Sequence, residues 1–510
     1  MKSVTTPISQ EVIKGLSKTQ LRTLAEGEQS LRVQLEDENA KLRELCDSLA
    51  EQRLEIEGKY VKLKNMLFAP SSEVQEKPKP SAGRPRRPNG RRQSRSKKPS
   101  DRYLNIPILD KELELEQKPN CSCCANTMQA TNLNEVSEEL TVTPKKYHIT
   151  RYHRRKYRCS HCYGSMITTP AIPRMIPGSS YSDEMIIDVA LSKFCDLIPI
   201  ERYSAMAKRQ GVDGLPPNSL INLTHHLALF LEVIYTSGLK QEILTADSLR
   251  GDESPHRMLE GDEKRNWFLW QFAATGTVYF ECHDTRAAKV SSRILEECEA
   301  VVFLSDDYGG YGKSVREANT IRKDLEKPII EHGLCNAHSR RKFAEAELNC
   351  EEATYFIQEY GKIYAIESRA KELPNEEKLQ LRTTTQTHFQ NILRQAQITI
   401  ESYSAKSLIA KATKYFISNY DQLTLFTRKA NLSIDNNATE RPFRSPAIGR
   451  KTWYGTHSKR GAKTLAIMFS IVESCKVNKV NPREYIPDMV SRLHAGKPWV
   501  TPRNYQQNTS

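Results

Sequence analysis

The sequence predicts a multidomain α+β protein. Its 510 residues exceed what one core usually organises, at ~100–200 residues per domain. Strand-like apolar patches gather in two places, within residues 104–170 and from residue 243 onward, with helical stretches around them. A proline-rich basic stretch without large apolar residues separates an N-terminal helix from everything that follows.

Charge narrows the partner class. Lys and Arg number 76 against 62 Asp and Glu, a net charge of +14. Such an excess favours a polyanion, nucleic acid before a membrane surface. No apolar run reaches the ~18 residues of a membrane span. The opening MKSVTTPISQEVIKG lacks the apolar core of a secretion signal, so a cytoplasmic location is expected.

Residues 1–75 are expected to be dominated by one long helix. Leu35, Leu42, Leu49, Ile56 and Leu63 recur every seven residues, with Leu21 in the same register. The companion positions Asn39, Cys46, Arg53, Tyr60 and Leu67 make a poorer seam. A coiled coil and an amphipathic helix packed on its own chain both fit. Residues 76–103 form the basic linker, with eleven Lys or Arg between Lys77 and Arg102. Arg86, Arg87, Arg91 and Arg92 lie at its centre, suited to tracking DNA phosphates without reading sequence.

Residues 104–170 carry two Cys-x-x-Cys pairs, Cys121/Cys124 and Cys159/Cys162. Each pair can present two thiolates to one tetrahedral Zn²⁺ at ~2.3 Å, which suits a structural zinc site. The bland alternative is reduced structural cysteines. Cys123 could replace a partner in the first pair. Lys145, Lys146, Arg151, Arg154, Arg155, Lys156 and Arg158 make the module basic, so Arg154 and Arg155 are candidate DNA contacts.

Residues 171–242 read as helices broken at Gly211–Pro217, either a helix-turn-helix or an ordinary helical hairpin. Residues 243–475 alternate strands and helix, implying α/β packing, and 338–430 return to helix as an insertion. Residues 476–510 form a C-terminal helix and tail.

Three acids stand apart from the solvated majority. Asp252 lies in LRGDESP, Asp306 ends the apolar AVVFLSD, and Glu440 lies in SIDNNATERPFR beside Arg441, Arg444, Arg450 and Lys451. Carboxylates from separate elements are what two Mg²⁺ ions ~3.5–4 Å apart require. Asn436 and Asn437 could cap the Glu440 helix, and Trp453 and Tyr454 could stack on a base or pack in the core.

In these stretches the chain resembles the transposases of the insertion sequence 66 family. KLKNMLFAPSSE, the paired cysteines, LSKFCDLIPIERYSAMAKRQGV, LRGDESPHRML, FLSDDYGGY, HGLCNAHSRRKF and SIDNNATERPFRSPAIGRKTWYGT follow the family order over nearly the whole chain. The resemblance implies a DDE-type transposase with an RNase H-like catalytic core that cuts element ends and joins them to target DNA. Asp252, Asp306 and Glu440 would be its catalytic acids, holding two Mg²⁺ or Mn²⁺ ions, with Zn²⁺ structural. It implies DNA partners (element terminal repeats and target), at least a dimer, accessory element-encoded proteins, and association with the nucleoid. Asp307 stands where the family usually has Gly, and Asp247 is a rival for the first acid. Cys335 and His338 are spaced as a metal pair, but packing or DNA organisation is the favoured role. The rival readings are a zinc-dependent DNA-binding regulator without catalysis, an RNase H-like nuclease that does not join, and a decayed transposase.

Overall fold

The computed structural model describes parts of residues 17–48, then residues 98–102, 107–110, 123, 137–140, 145–158, 166–259 and 266–505. It divides into two units, Met1–Val142 and Thr143–Ser510. In the first, every described residue between 18 and 48 is helical and exposed. Ion pairs one turn apart, such as Arg22 to Glu26 at 3.2 Å, decorate that helix. A short helix, Pro99–Arg102, is tied to Glu138 by the Ser100 amide at 3.0 Å.

The second unit begins with a two-stranded antiparallel pair, β1 (Lys156–Arg158) and β2 (Met166–Thr168). Three helices follow: α1 (Asp183–Phe194), α2 (Ile200–Arg209) and α3 (Pro217–Phe230). Ser182 caps α1 by accepting the Met185 amide. Apolar residues bury nearly the whole of α1, and Pro217 starts α3, where a missing N–H costs nothing.

A five-stranded mixed sheet organises the rest: β3 (Ser248–Arg257), β4 (Asn266–Ala274), β5 (Thr277–His283), β6 (Val302–Ser305) and β7 (Glu331–Leu334). Their order is β5-β4-β3-β6-β7. The first three are antiparallel neighbours, while β6 runs parallel to β3 and β7 parallel to β6. Strands were expected from residue 243 onward, but a helix runs over Lys240–Leu244 and the first strand of the sheet starts at Ser248. Helices α4 (Lys289–Glu297) and α5 (Gly309–Asp324) connect the strands on one face.

The insertion contains α6 (Asn336–Glu347), α7 (Ala353–Ala370), α8 (Asn375–Thr383), α9 (Thr385–Ser402) and α10 (Leu408–Ser418), followed by one short helical turn at Tyr420–Thr424. Its aromatic core, including Phe343, Phe356, Phe389 and Phe416, packs with Val302 and Leu304 of β6. The chain then returns through α11 (Asn437–Glu440), α12 (Arg444–Trp453), α13 (Lys459–Val477) and α14 (Pro482–His494). Helix α13 runs through residue 475, where a boundary was expected, and covers β5. Ser470 and Ser474 accept the β5 amides of Phe280 and Val278 at 2.8 and 3.0 Å, so the sheet edge is satisfied by side chains. Helices α1–α3 share one apolar core with this sheet and α13.

Strand alternation divides the sheet's two faces. Leu249 and Phe303 belong to the core with α1–α3, while Val302 and Leu304 face the insertion. Gly251 sits where β3 passes Phe303: an added Cβ would lie 2.5 Å from Phe303 Cζ and 3.3 Å from Tyr311. Gly251→Ala is expected to destabilise the unit by about 1–3 kcal/mol through overpacking, checked by urea unfolding against wild type.

Candidate active site

Register levels the first two acids. The parallel pairing sets Ser248 beside Val302, Leu249 beside Phe303 and Arg250 beside Leu304. Extended by two residues, it puts Asp252 level with Asp306 at the carboxyl end of β6, where crevices open in parallel sheets. Asp306 Oδ1 accepts the Tyr308 amide at 3.1 Å, and Asp252 Oδ1 accepts the Glu253 amide at 2.9 Å.

Neighbouring acids point elsewhere. Glu253, one residue on, faces the opposite side and is consumed by an ion pair with Arg286 and a hydrogen bond from the Tyr311 hydroxyl. Asp247 is exposed at the start of the strand and accepts Asn431 Nδ2 at 2.9 Å. Five residues of strand put it roughly 16 Å from Asp252. Asp307 is exposed and lines a separate polar cleft with Arg316 and Asn419. Burial and the adjacent Asp306 raise its pKa, with Lys342 opposing.

Glu440 arrives on α11, and the anchors of that short helix come from two other elements. Asn436 Nδ2 donates to Gly251 O at 3.0 Å, and the Asn436 amide donates to Cys335 Sγ at 3.2 Å. The Asn336 amide and side chain both donate to Ile434 O at 3.1 Å. Asn436 was expected to be a cap or phosphate contact, but its side chain joins α11 to β3. Asn436 does hold the N-cap position, without a side-chain capping bond, and Asp435 Oδ1 accepts the Asn437 amide at 3.1 Å.

The Cys335/His338 pair diverges. Cys335 is fully buried at the start of α6, and burial pushes its thiol up to about 11. His338 Nε2 instead lies 3.9 Å from Glu440 Oε1. Sequence reasoning assigned His338 to packing or DNA organisation and missed that it faces this acid. The signal was the three-residue spacing, which puts His338 one helical turn beyond the end of β7.

These acids repel one another. Asp252 is pushed up to about 8, first by burial, then by the charges of Glu253, Asp306 and Glu440, against the one favourable amide. Glu440 Oε1 and His338 Nδ1 are buried with no hydrogen-bond partner. Uncompensated negative charge and an orphaned carboxylate oxygen are what a divalent cation relieves, and a hard oxygen donor set suits Mg²⁺ or Mn²⁺. Among the described residues no three His, Cys, Asp or Glu side chains close around a single point.

Cations surround the acids. Arg441, Arg444 and Lys451 are exposed on or beside α12, whereas the Arg450 guanidinium donates to Pro255 O. Trp453 packs inward, with Lys193 Nζ 4.1 Å from its ring centre and Phe194 at 6.4 Å, while Tyr454 is 71% exposed. Arg154 and Arg155 are exposed before and beside β1, and Cys123 is exposed. Arg86, Arg87, Arg91, Arg92, Cys121, Cys124, Cys159 and Cys162 lie outside the described residues.

Residues 178–464, more than half of the 510, match the family model described as the transposase IS66 family. The chain belongs to that family. Residues 118–163, which span all four paired cysteines, match the zinc-finger binding domain of IS66 transposases. Zinc and DNA are therefore its metal and its partner at the level of the family. Three proteins of Sinorhizobium fredii (strain NBRC 101917 / NGR234), all named as uncharacterized, are similar. Protein y4hP is 22% identical over 74% of this chain and 71% of its own length. Protein y4jD is 24% identical over 82% and 84%, and y4qI is 23% identical over 74% and 71%. Among the described residues no helix is long and apolar enough to cross a membrane.

The raised Asp252 pKa has a thermodynamic consequence. The folded state holds a proton that the unfolded state, near pKa 3.9, has released, so stability falls as pH rises from about 4 to about 8. In chelator, Asp252→Asn is expected to flatten that slope and to be the more stable protein at pH 8, measured by thermal unfolding at pH 5, 6.5 and 8.

Proposed function

We propose that this transposase is a DDE enzyme in which Asp252, Asp306 and Glu440 bind divalent cations for DNA cleavage and strand transfer. The observation that carries the reading is geometric: β3–β6 pairing levels Asp252 with Asp306, and Asn436 Nδ2 fastens the segment bearing Glu440 to Gly251 O beside Asp252, although 133 residues of chain separate Asp306 from Glu440. The mixed sheet, with three antiparallel strands continued by two parallel ones, supports an RNase H-like core.

Mg²⁺ or Mn²⁺ ions held there would supply the Lewis acidity that activates an attacking oxygen and stabilises a leaving 3′ oxygen. Hydrolysis of a phosphodiester at the element end releases a 3′ hydroxyl. That hydroxyl then attacks a target phosphodiester in line. Its oxygen bonds to phosphorus, its proton passes to solvent, and the target 3′ oxygen departs. The chain's own contribution is positioning: β3 and β6 fix two carboxylates, and α11 brings the third against His338. Arg441, Arg444 and Lys451 are disposed to hold flanking phosphates. Arg450 contributes by holding Pro255 O at the end of β3.

Zinc would be held by Cys121, Cys124, Cys159 and Cys162. Arg154, Arg155 and the linker's Arg86, Arg87, Arg91 and Arg92 would add sequence-independent phosphate contacts. Bringing two element ends together calls for at least two copies, joined through the N-terminal helix, with accessory element-encoded proteins as further partners. The work would take place in the bacterial cytoplasm, on nucleoid DNA.

Asp306→Asn is expected to reduce Mg²⁺-dependent strand transfer from pre-cut ends to background while leaving DNA binding intact. A gel assay of joining alongside a mobility shift checks this, and joining by the variant at wild-type rate would refute the assignment. Cys159→Ser should release zinc and unfold the N-terminal module, read by metal analysis and proteolysis of the full chain. Retention of zinc by the Cys121/Cys124/Cys159/Cys162 variant would remove the ligand assignment.

A further inference from the structure

Most orphaned buried polar atoms of the described residues gather in one place. His338 Nδ1, Asn436 Oδ1, Thr439 Oγ1, Glu440 Oε1 and both side-chain polar atoms of Gln271 have no hydrogen-bond partner. All belong to, or adjoin, the segments that carry the acids. Gln271 is the extreme case. Its residue is 0% exposed, and neither end of its amide is paired. Leaving such a group buried and unpaired is costly, and an apolar residue of the same shape would avoid that cost.

Its position explains the cost. The antiparallel register of β3 and β4 sets Gln271 directly opposite Asp252, so the two side chains share a face with Cβ atoms about 4.5–5.5 Å apart. On its other side Gln271 pairs with Phe280, whose ring lies 5.4 Å from Phe443, and the Phe443 amide donates to Glu440 O at 3.2 Å. The amide is thus enclosed between Asp252 and the chain segment bearing Glu440. Asn436 and Thr439, each with an unpaired oxygen, lie on that same segment.

We propose that Gln271 is a positioning residue for the cation site. Its Nε2–H, unpaired in this structure, would donate to the Asp252 carboxylate when a cation is held there and so fix the orientation of that carboxylate. This inference rests on the assignment of Asp252 as a cation ligand. Nothing in the sequence marked the residue: NWFLWQFAA reads as a buried strand, and one amide in it looks like a tolerated exception.

The test uses full-length, zinc-loaded protein and Mn²⁺ as the probe, titrated by electron paramagnetic resonance with Asp252→Asn as the control. Gln271→Met keeps the linear shape and removes both polar ends. It is expected to fold at least as stably as wild type in chelator and to bind Mn²⁺ about tenfold more weakly, the usual scale for losing an outer partner of a metal ligand. Gln271→Leu serves as a second variant should Met pack poorly. Weakened folding with Mn²⁺ affinity unchanged would overturn the proposal in favour of a structural amide. If wild type binds Mn²⁺ and Asp252→Asn does not, an unaltered Gln271→Met affinity defeats this inference alone. Absence of Mn²⁺ binding by wild type, with and without DNA, defeats the cation site and this inference together.

Discussion

Like charges gathered in a half-buried place oppose folding, and the strands and helices around them are arranged to hold them there. A carboxylate taken from water loses hydration, and each neighbouring carboxylate adds to the cost. Asp252 shows both effects at once. What restrains the acids is rigid. Parallel pairing of β3 with β6 sets two of them level, and close passage of Gly251 over Phe303 fixes the spacing of those strands. Asn436 then fastens the third acid's helix to the β3 backbone beside Asp252.

Both cores contribute to that restraint. One packs the sheet against α1–α3 and α13, and the other packs the insertion against β6. The insertion therefore does more than lengthen the chain. Its first helix supplies Cys335 and Asn336 as anchors for the segment from Ile434 to Asn436, and His338 as the neighbour of Glu440. The interval between Asp306 and Glu440 is long because a complete helical core closes within it before the chain returns to the sheet.

Family membership and the site describe different scales. The family match makes this a transposase with a zinc finger, a statement about residues 118–163 and 178–464 as whole domains. The site is a matter of a few ångströms, with a cluster of unpaired polar atoms beneath the acids and exposed cations around them. Exposed arginines offer charge to a phosphate backbone at little cost. Buried orphans carry a continuing penalty and so mark where a function constrains the fold.

The sequence by itself determined the family, the basic balance, the mixed α+β class and the presence of strands after residue 243. Each follows from local pattern: motif order, charge count, or a dense apolar run bounded by turns. It also favoured Asp252 over Asp247, on the neighbours GDESP alone. Tertiary structure decided what depends on pairing across distance. The strand start at Ser248, the inward turn of Trp453, the role of Asn436 as a tie, the approach of His338 to Glu440 and the placement of Gln271 opposite Asp252 all depend on register or on contacts between distant segments. Periodicity reveals which face of an element is apolar, but which residue stands opposite which is fixed only when the strands pair, and a shift of one residue in a strand would turn its side chains, Asp252 or Gln271 among them, to the other face.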